Sequence, residues 1–107
     1  MEDLIRVLYE IRKNPLLYFG GRKTIGHLEN FIFGFTTGRE GTNKEIDRSR
    51  NWFSPSNGAF QDFVVKKYQI TLTQSWCNII TFHSSSENEA FDLFFKLLDE
   101  FIGYIKL

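Results

Sequence analysis

The apolar residues of this chain recur at the spacing of α-helices over most of its length. The first such segment lies between Asp3 and Lys13, with Asp3 as its expected N-cap. Its apolar positions are Leu4, Ile5, Leu8 and Ile11. They form one face of an amphipathic helix. The segment at the carboxyl end is the most apolar, with Ala90, Phe91, Phe94, Phe95, Leu97, Leu98, Phe101, Ile102 and Ile105. A stripe this wide predicts a central helix that packs on two sides.

Three further helices are indicated by their start signals. Thr24 is the expected N-cap of a second helix, whose stripe is Ile25, Leu28, Phe31, Ile32 and Phe35. Ser54-Pro55 resembles an N-cap followed by proline at the first helical position, which starts a third helix. Ser75 caps a short fourth helix, with Trp76, Ile79, Ile80 and Phe82 facing inward. Ser86 and Glu89 form a capping box ahead of the last helix.

The breaks between these segments complete the predicted architecture. Asn14-Pro15 ends the first helix, since the residue before proline is pushed out of the α region. Leu16 to Phe19 then reads as a short apolar link into a turn at Gly20-Gly21. Gly34 indicates close packing of the second helix, which ends near Gly38. The sequence therefore predicts an all-α fold: a compact, single-domain bundle of about five helices over residues 1–107.

A long polar loop is expected between the second and third helices, from Gly38 to Ser54. Loops longer than about 12–15 residues are uncommon in compact domains and are often functional. Arginine and aromatic side chains are strong anchors at protein interfaces. Arg48, Arg50, Trp52 and Phe53 are therefore the first candidates for partner binding, and an ordinary solvated loop is the alternative.

Net charge and cysteine content narrow the function classes. The chain has 13 basic and 13 acidic side chains and one cysteine in 107 residues. A neutral chain has no overall field that would attract nucleic acid or an anionic membrane. The single cysteine excludes an internal disulfide, and no apolar run approaches the roughly 20 residues of a membrane span. We expect a soluble cytoplasmic protein that binds neither nucleic acid nor membrane.

The residues that could carry catalysis or bind a cofactor do not form a recognisable motif. His27 and His83 lack metal-ligand spacing, and no local motif supports Cys77 as a nucleophile. Gly20-Gly21, followed by Arg22-Lys23, lacks the preceding strand and the fuller glycine pattern of a phosphate loop. The prediction is a protein that is not an enzyme and that needs no metal or cofactor.

The last helix offers a second candidate surface. Asp92, Lys96 and Asp99 share one face at spacings of four and three, which makes a mostly acidic stripe. Asp92 and Asp99 could meet a basic partner. The alternative is that this stripe is the solvated side of the helix.

The apolar blocks and turns, taken together, resemble a known family. The matching blocks are Pro15-x-x-Tyr18-x-Gly20, Thr24-Ile25-x-x-Leu28-x-x-Phe31-Ile32-x-Gly34-Phe35, Phe60-x-x-Phe63-Val64-x-x-Lys67-Tyr68, Ser75-Trp76-x-x-Ile79-Ile80 and Ala90-Phe91-x-x-Phe94-Phe95-x-Leu97-Leu98-x-x-Phe101. This pattern is similar to the small bacterial immunity proteins of contact-dependent growth inhibition and polymorphic toxin systems. It covers most of the chain apart from the Gly38–Ser54 loop.

The resemblance implies a cytoplasmic inhibitor that binds the toxic C-terminal domain of a cognate effector and occludes its active site. In such families the toxin is often a nuclease. The alternative from a different class is a helical adaptor or homodimer that binds a non-toxin protein. A third is an enzyme that uses Cys77 or His27. The sequence specifies neither the toxin nor the oligomeric state.

Overall fold

The computed structural model describes residues 2–20, 23–42 and 51–105, with the side chains of 39–42 excepted. These residues form α1 (Glu2–Lys13), α2 (Pro15–Phe19), α3 (Ile25–Thr42), α4 (Ala59–Lys67), α5 (Trp76–Phe82) and α6 (Glu87–Ile105). No strand occurs within those ranges. The all-α prediction is confirmed, and the helices number six in the described part of the chain.

The additional helix is α2, where the sequence predicted only an apolar link. Pro15 occupies its first turn, with a backbone angle already suited to a helix, and Gly20 ends it in the left-handed region at φ 59°. Leu16 and Leu17 are exposed, so α2 contributes little to the core. Local backbone chemistry accounts for this helix better than burial does.

The core is organised around α6, which contacts α3, α4 and α5. Its buried residues are Ala90, Phe91, Phe94, Phe95, Leu97, Leu98 and Phe101. Phe94 lies 5.5 Å from Phe60 and 5.3 Å from Trp76 between ring centroids, and Phe60 lies 5.6 Å from Phe101. Such tilted and edge-on ring pairs add to the stabilisation from burial. The predicted central helix is confirmed.

The start signals are confirmed in three places. Thr24 Oγ1 accepts from the backbone N–H of His27 at 3.2 Å, and Ser75 Oγ accepts from that of Asn78 at 3.1 Å. Ser86 Oγ accepts from the Glu89 N–H at 3.1 Å. The carboxylate of Glu89, however, accepts a hydrogen bond from the side chain of Ser85.

Several local predictions are wrong. Asp3 is not an N-cap, because α1 begins at Glu2 and places it in the first turn, where a carboxylate suits the helix dipole. Gly34 is not closely packed, since no atom of another described element lies within 4 Å of where its Cβ would stand. The second helix runs to Thr42, four residues past Gly38. Phe82 faces outward from the last turn of α5. The remainder of the predicted loop, 43–50, lies outside the described residues.

The third helix starts at Ala59 and not at Pro55, because a turn intervenes. The backbone carbonyl of Trp52 accepts from the N–H groups of Phe60 at 2.9 Å and Gln61 at 3.4 Å. It thus occupies the role of an N-cap side chain for α4, whose N-cap residue, Gly58, has none. We call residues 51–58 the capping turn.

Gly58 is required by the close approach of the capping turn to α4. A Cβ at this position would lie 2.2 Å from the carbonyl oxygen of Trp52 and 2.7 Å from the backbone nitrogen of Ser54. Both are main-chain atoms, which cannot move aside without disturbing the turn. The backbone angle of Gly58, φ −74°, is one that any residue adopts. Space, and not conformation, selects glycine here.

Gln61 joins α4 to the start of α5. Its side-chain amide donates to the carbonyl of Gln74 at 2.7 Å, and its side-chain oxygen accepts from the N–H of Trp76 at 2.6 Å. The residue is buried. One side chain therefore satisfies a backbone carbonyl of the 69–75 loop and the first backbone N–H of α5.

Gly58→Ala is expected to lower the free energy of unfolding by about 2 kcal/mol or more, because the new methyl group overlaps the Trp52 carbonyl. Gly34→Ala is the matched control, since its Cβ meets no other element. It should raise stability by about 0.5–1 kcal/mol through helix propensity. Urea unfolding followed by circular dichroism measures both. Equal effects of the two variants would refute the steric assignment.

Gln61→Met is expected to destabilise the fold by about 2–4 kcal/mol, because it leaves a part-buried carbonyl and a buried N–H without their partners. Gln74→Met makes the same chemical change on an exposed side chain while keeping the Gln74 carbonyl. It should stay close to the wild type in the same urea titration. A small effect of Gln61→Met would show that water replaces the bridge.

Candidate functional site

The aromatic residues predicted to anchor a partner belong to the core. Phe53 is 3% exposed, with its ring centroid 5.2 Å from that of Phe60 and 6.0 Å from that of Trp76. Its carbonyl accepts from the indole N–H of Trp76 at 2.8 Å. Trp52 is half-buried, edge-on to Phe101 at 5.2 Å. Both residues attach the capping turn to the core. The polar residues around them are therefore the ones accessible to a partner.

Of the other loop candidates, Arg48 and Arg50 lie outside the described residues. Along the chain they belong to the segment 43–50, which follows α3 and precedes the capping turn. In sequence they are therefore adjacent to both of these described elements.

The carboxylates of the predicted acidic stripe are paired within the fold. Asp92 Oδ1 lies 2.8 Å from Lys23 Nζ, and Asp99 Oδ2 lies 2.9 Å from Arg12 Nη1. The same two cations lie over the rings of Phe91 and Phe95, at 5.4 and 5.5 Å from the centroids. Pairing reduces the field that Asp92 and Asp99 present to a partner, although both carboxylates remain exposed.

Tyr9 completes the cluster around Asp99. Its hydroxyl donates to Asp99 Oδ1 at 2.7 Å. Burial and this hydrogen bond raise the pKa of Tyr9 from 10.0 to about 12. Both effects favour the protonated hydroxyl, which keeps donating to the carboxylate. The cluster links α1 to α6 and is explained by structure alone.

A groove lies between α3 and the capping turn, and we call it the α3 groove. Its volume is about 510 Å³. The described residues that line it are Glu29, Asn30, Ile32, Phe33, Thr36, Thr37, Asn51, Phe53, Ser54, Pro55, Ser56, Asn57 and Trp76. Amides and hydroxyls dominate its rim, and Glu29 is the single charged residue among those named. Pockets of this size enclose a ligand or part of a partner's surface.

Phe33 is the exposed apolar residue of this groove, at 69% exposure. The stripe that predicted the second helix omitted Phe33, since it falls between the stripe positions Ile32 and Phe35. The position of Phe33 outside the apolar stripe is the sequence signal that identifies it as a surface residue. A large apolar residue off the buried stripe of an amphipathic helix is expected on the surface.

Glu29 connects the groove to Cys77. Burial raises the pKa of the Cys77 thiol from 9.0 to about 12, with further contributions from the charge of Glu29 and from a hydrogen bond to it. The thiol is buried on α5 and stays protonated at neutral pH. Cys77 is thus a small apolar core residue whose weak S–H donor faces the Glu29 carboxylate.

A second, more apolar groove lies between α5 and the 69–74 loop, and we call it the α5 groove. Its volume is about 400 Å³. Leu72 and Phe82 line it and are 73% and 84% exposed. His83 also lines it, stacked on Tyr68 at 4.1 Å, with Nδ1 2.9 Å from the carbonyl oxygen of Ile79. Residues 69–74 form no strand.

His27, the other histidine, is explained by its neighbours. It lies within the first turn of α3, where Nδ1 contacts the Thr24 hydroxyl and the ring packs 5.5 Å from Phe19. Residues 2–20, 23–38 and 51–105 contain no group of three or more side chains arranged to hold a metal ion. Over the helices that the structure describes, none has the length and apolarity to cross a membrane.

Comparison with protein-family models, with curated proteins and with solved structures found no match to this chain.

Cys77 is expected to react with a disulfide reagent at pH 8 about a thousandfold more slowly in the folded protein than in urea, because a pKa near 12 removes nearly all of the thiolate. The folded state also retains this proton between pH 9 and 12, where the unfolded state loses it. Stability should therefore fall as the pH rises through 9. Stopped-flow absorbance measures the reaction, and comparable rates in both states would contradict the assignment.

Proposed function

We propose that this chain is an immunity protein, which binds the toxic domain of a cognate effector and occludes its active site. The observation that carries the proposal is the exposure of Phe33 beside a groove rimmed with amides and hydroxyls. An apolar anchor inside a polar rim is the arrangement found at protein interfaces. The resemblance of the turn and core pattern to small bacterial immunity proteins supplies the kind of partner.

The α3 groove is the surface that we assign to the toxin. One wall is a long helix, and the other is a turn held by the buried ring of Phe53 and by the backbone carbonyl of Trp52. A surface that is ordered before binding loses little conformational entropy, which favours tight association. Arg48 and Arg50 belong to the segment that connects the two walls along the chain, so they remain candidates for the same contact.

The toxin itself is proposed to be a nuclease C-terminal domain, as the resemblance implies. The chain is neutral overall. Its inhibition would therefore depend on local contacts and not on a strongly acidic surface that imitates nucleic acid. Asp92 and Asp99, each paired with a cation of this chain, stay as the second and weaker surface.

The alternative is a helical adaptor or homodimer, and the α5 groove favours it. Leu72 and Phe82 together expose two large apolar side chains next to an open groove. Clustered exposed apolar residues mark interaction sites more often than single ones do. The two hypotheses place the partner in grooves that share no lining residue, which makes them separable by mutation.

The first experiment is a pull-down of the tagged chain from lysate of its source organism, with mass spectrometry of the bound material. Recovery of the C-terminal part of a large secreted effector in about equal amount is the result expected for an immunity protein. Recovery of housekeeping proteins or of the chain itself would replace the proposal with the adaptor or homodimer.

With the effector domain in hand, Phe33→Ala is expected to weaken binding by about 30-fold, the loss typical of a central anchor. Phe82→Ala removes an even more exposed ring from the α5 groove and should leave the affinity unchanged. Arg48→Ala combined with Arg50→Ala should weaken binding as well. Isothermal titration calorimetry measures all three. A loss confined to Phe82→Ala would move the interface to the α5 groove.

A further inference from the structure

The chemistry of the α3 groove is set by one half-buried carboxylate. Glu29 lies on α3 one turn before Phe33, so both side chains project to the same side of the helix. The other described residues of the groove wall are neutral. Any charged group that enters therefore meets a single negative charge among amides and hydroxyls.

Among the described residues, the hydrogen-bond partner of the Glu29 carboxylate is the Cys77 thiol, which is a weak donor. The ion pairs between described residues are Asp3–Arg6, Arg12–Asp99, Lys23–Asp92 and Lys67–Glu100, and none of them includes Glu29. Three carboxylates of α6 are matched by cations from elsewhere in the fold, while none of the described cations pairs with Glu29.

We propose that the α3 groove receives a basic side chain of a protein partner, with Glu29 as its counter-ion and Phe33 packed against its aliphatic stem. A guanidinium fits best, since it can donate two parallel hydrogen bonds to a carboxylate and stack on an aromatic face. The side-chain oxygens of Asn30 and Asn57 provide acceptors for its remaining N–H groups, while that of Asn51 already accepts from the N–H of Phe53 at 3.1 Å.

The identification of the partner as a toxin rests on the proposed function above. The preference of the groove for a cation is independent of that function. An arginine at this position would explain how a neutral protein selects one partner. A charged group placed in a partly enclosed groove discriminates strongly, because a wrong residue leaves Glu29 desolvated and unpaired.

The test uses a probe that needs no partner. N-acetyl-arginine N-methylamide is titrated into the full-length ¹⁵N-labelled protein at low salt, and backbone amide shifts are followed by NMR. The expected result is a saturable change at Phe33 and Asn51, absent with N-acetyl-glutamine N-methylamide, which lacks the charge. Equal responses to the two probes, no response, or changes centred on the α5 groove would each overturn the proposal.

Variants then assign the charge to one residue. Glu29→Gln keeps an acceptor for the Cys77 thiol and should abolish the arginine response. Glu10→Gln is the matched control, since it removes an exposed carboxylate from α1, which contributes none of the described groove residues. If Glu29→Gln and the control respond alike, Glu29 is not the counter-ion.

With a captured effector domain, Glu29→Gln is expected to weaken binding by about tenfold or more. Each arginine of the effector is then replaced in turn. One replacement should weaken binding to the wild type but leave the affinity for Glu29→Gln unchanged. If no effector is captured but the arginine probe binds, the immunity function fails and the cation site stands. If an effector is captured and binds the wild type and Glu29→Gln equally, the cation site is refuted and the immunity function stands.

Discussion

The carbonyl oxygen of Trp52 is the point on which the architecture depends. By accepting from the N–H groups of Phe60 and Gln61, it ties the capping turn to the start of α4. The same turn places Phe53 among Phe60, Trp76 and Phe94, where four aromatic rings meet. The outer side of the turn then forms one wall of the α3 groove. A single main-chain acceptor thus couples the start of a helix, the packing of the core and the shape of the candidate site.

Helical periodicity was enough to predict α1, α3, α5 and α6, because each has an apolar stripe that must be buried. It failed where main-chain chemistry decides the structure. α2 forms through Pro15 and Gly20 without a buried face, and α4 starts late because a distant carbonyl replaces the Ser54 cap. A pattern of side-chain types does not indicate which carbonyl approaches which N–H group. The sequence therefore predicted neither the additional helix α2 nor the later start of α4.

The candidate site was predictable only in part, for a related reason. Trp52 and Phe53 have the chemistry of interface anchors, yet the same chemistry suits a core, and only the fold distinguishes the two. Phe33 was not predicted as a site residue because the helix is recognised by its buried stripe, and Phe33 lies outside that stripe. The pairing of Asp92 and Asp99 with Lys23 and Arg12 joins residues about 70 to 90 positions apart, which no local pattern reveals. The role proposed for Glu29 depends on its position beside Cys77 and the capping turn, which the sequence does not reveal.

The way in which the capping turn is held has a consequence for how the protein can diversify. Its attachments are a backbone carbonyl, a glycine without a side chain and two aromatic residues that face inward. Asn30, Thr37, Ser56 and Asn57, which border the groove, are all exposed. Substitutions at such positions usually change stability by less than about 0.5 kcal/mol. Descendants of this sequence could therefore exchange the rim residues freely and acquire new binding preferences, while the scaffold beneath them is inherited unchanged.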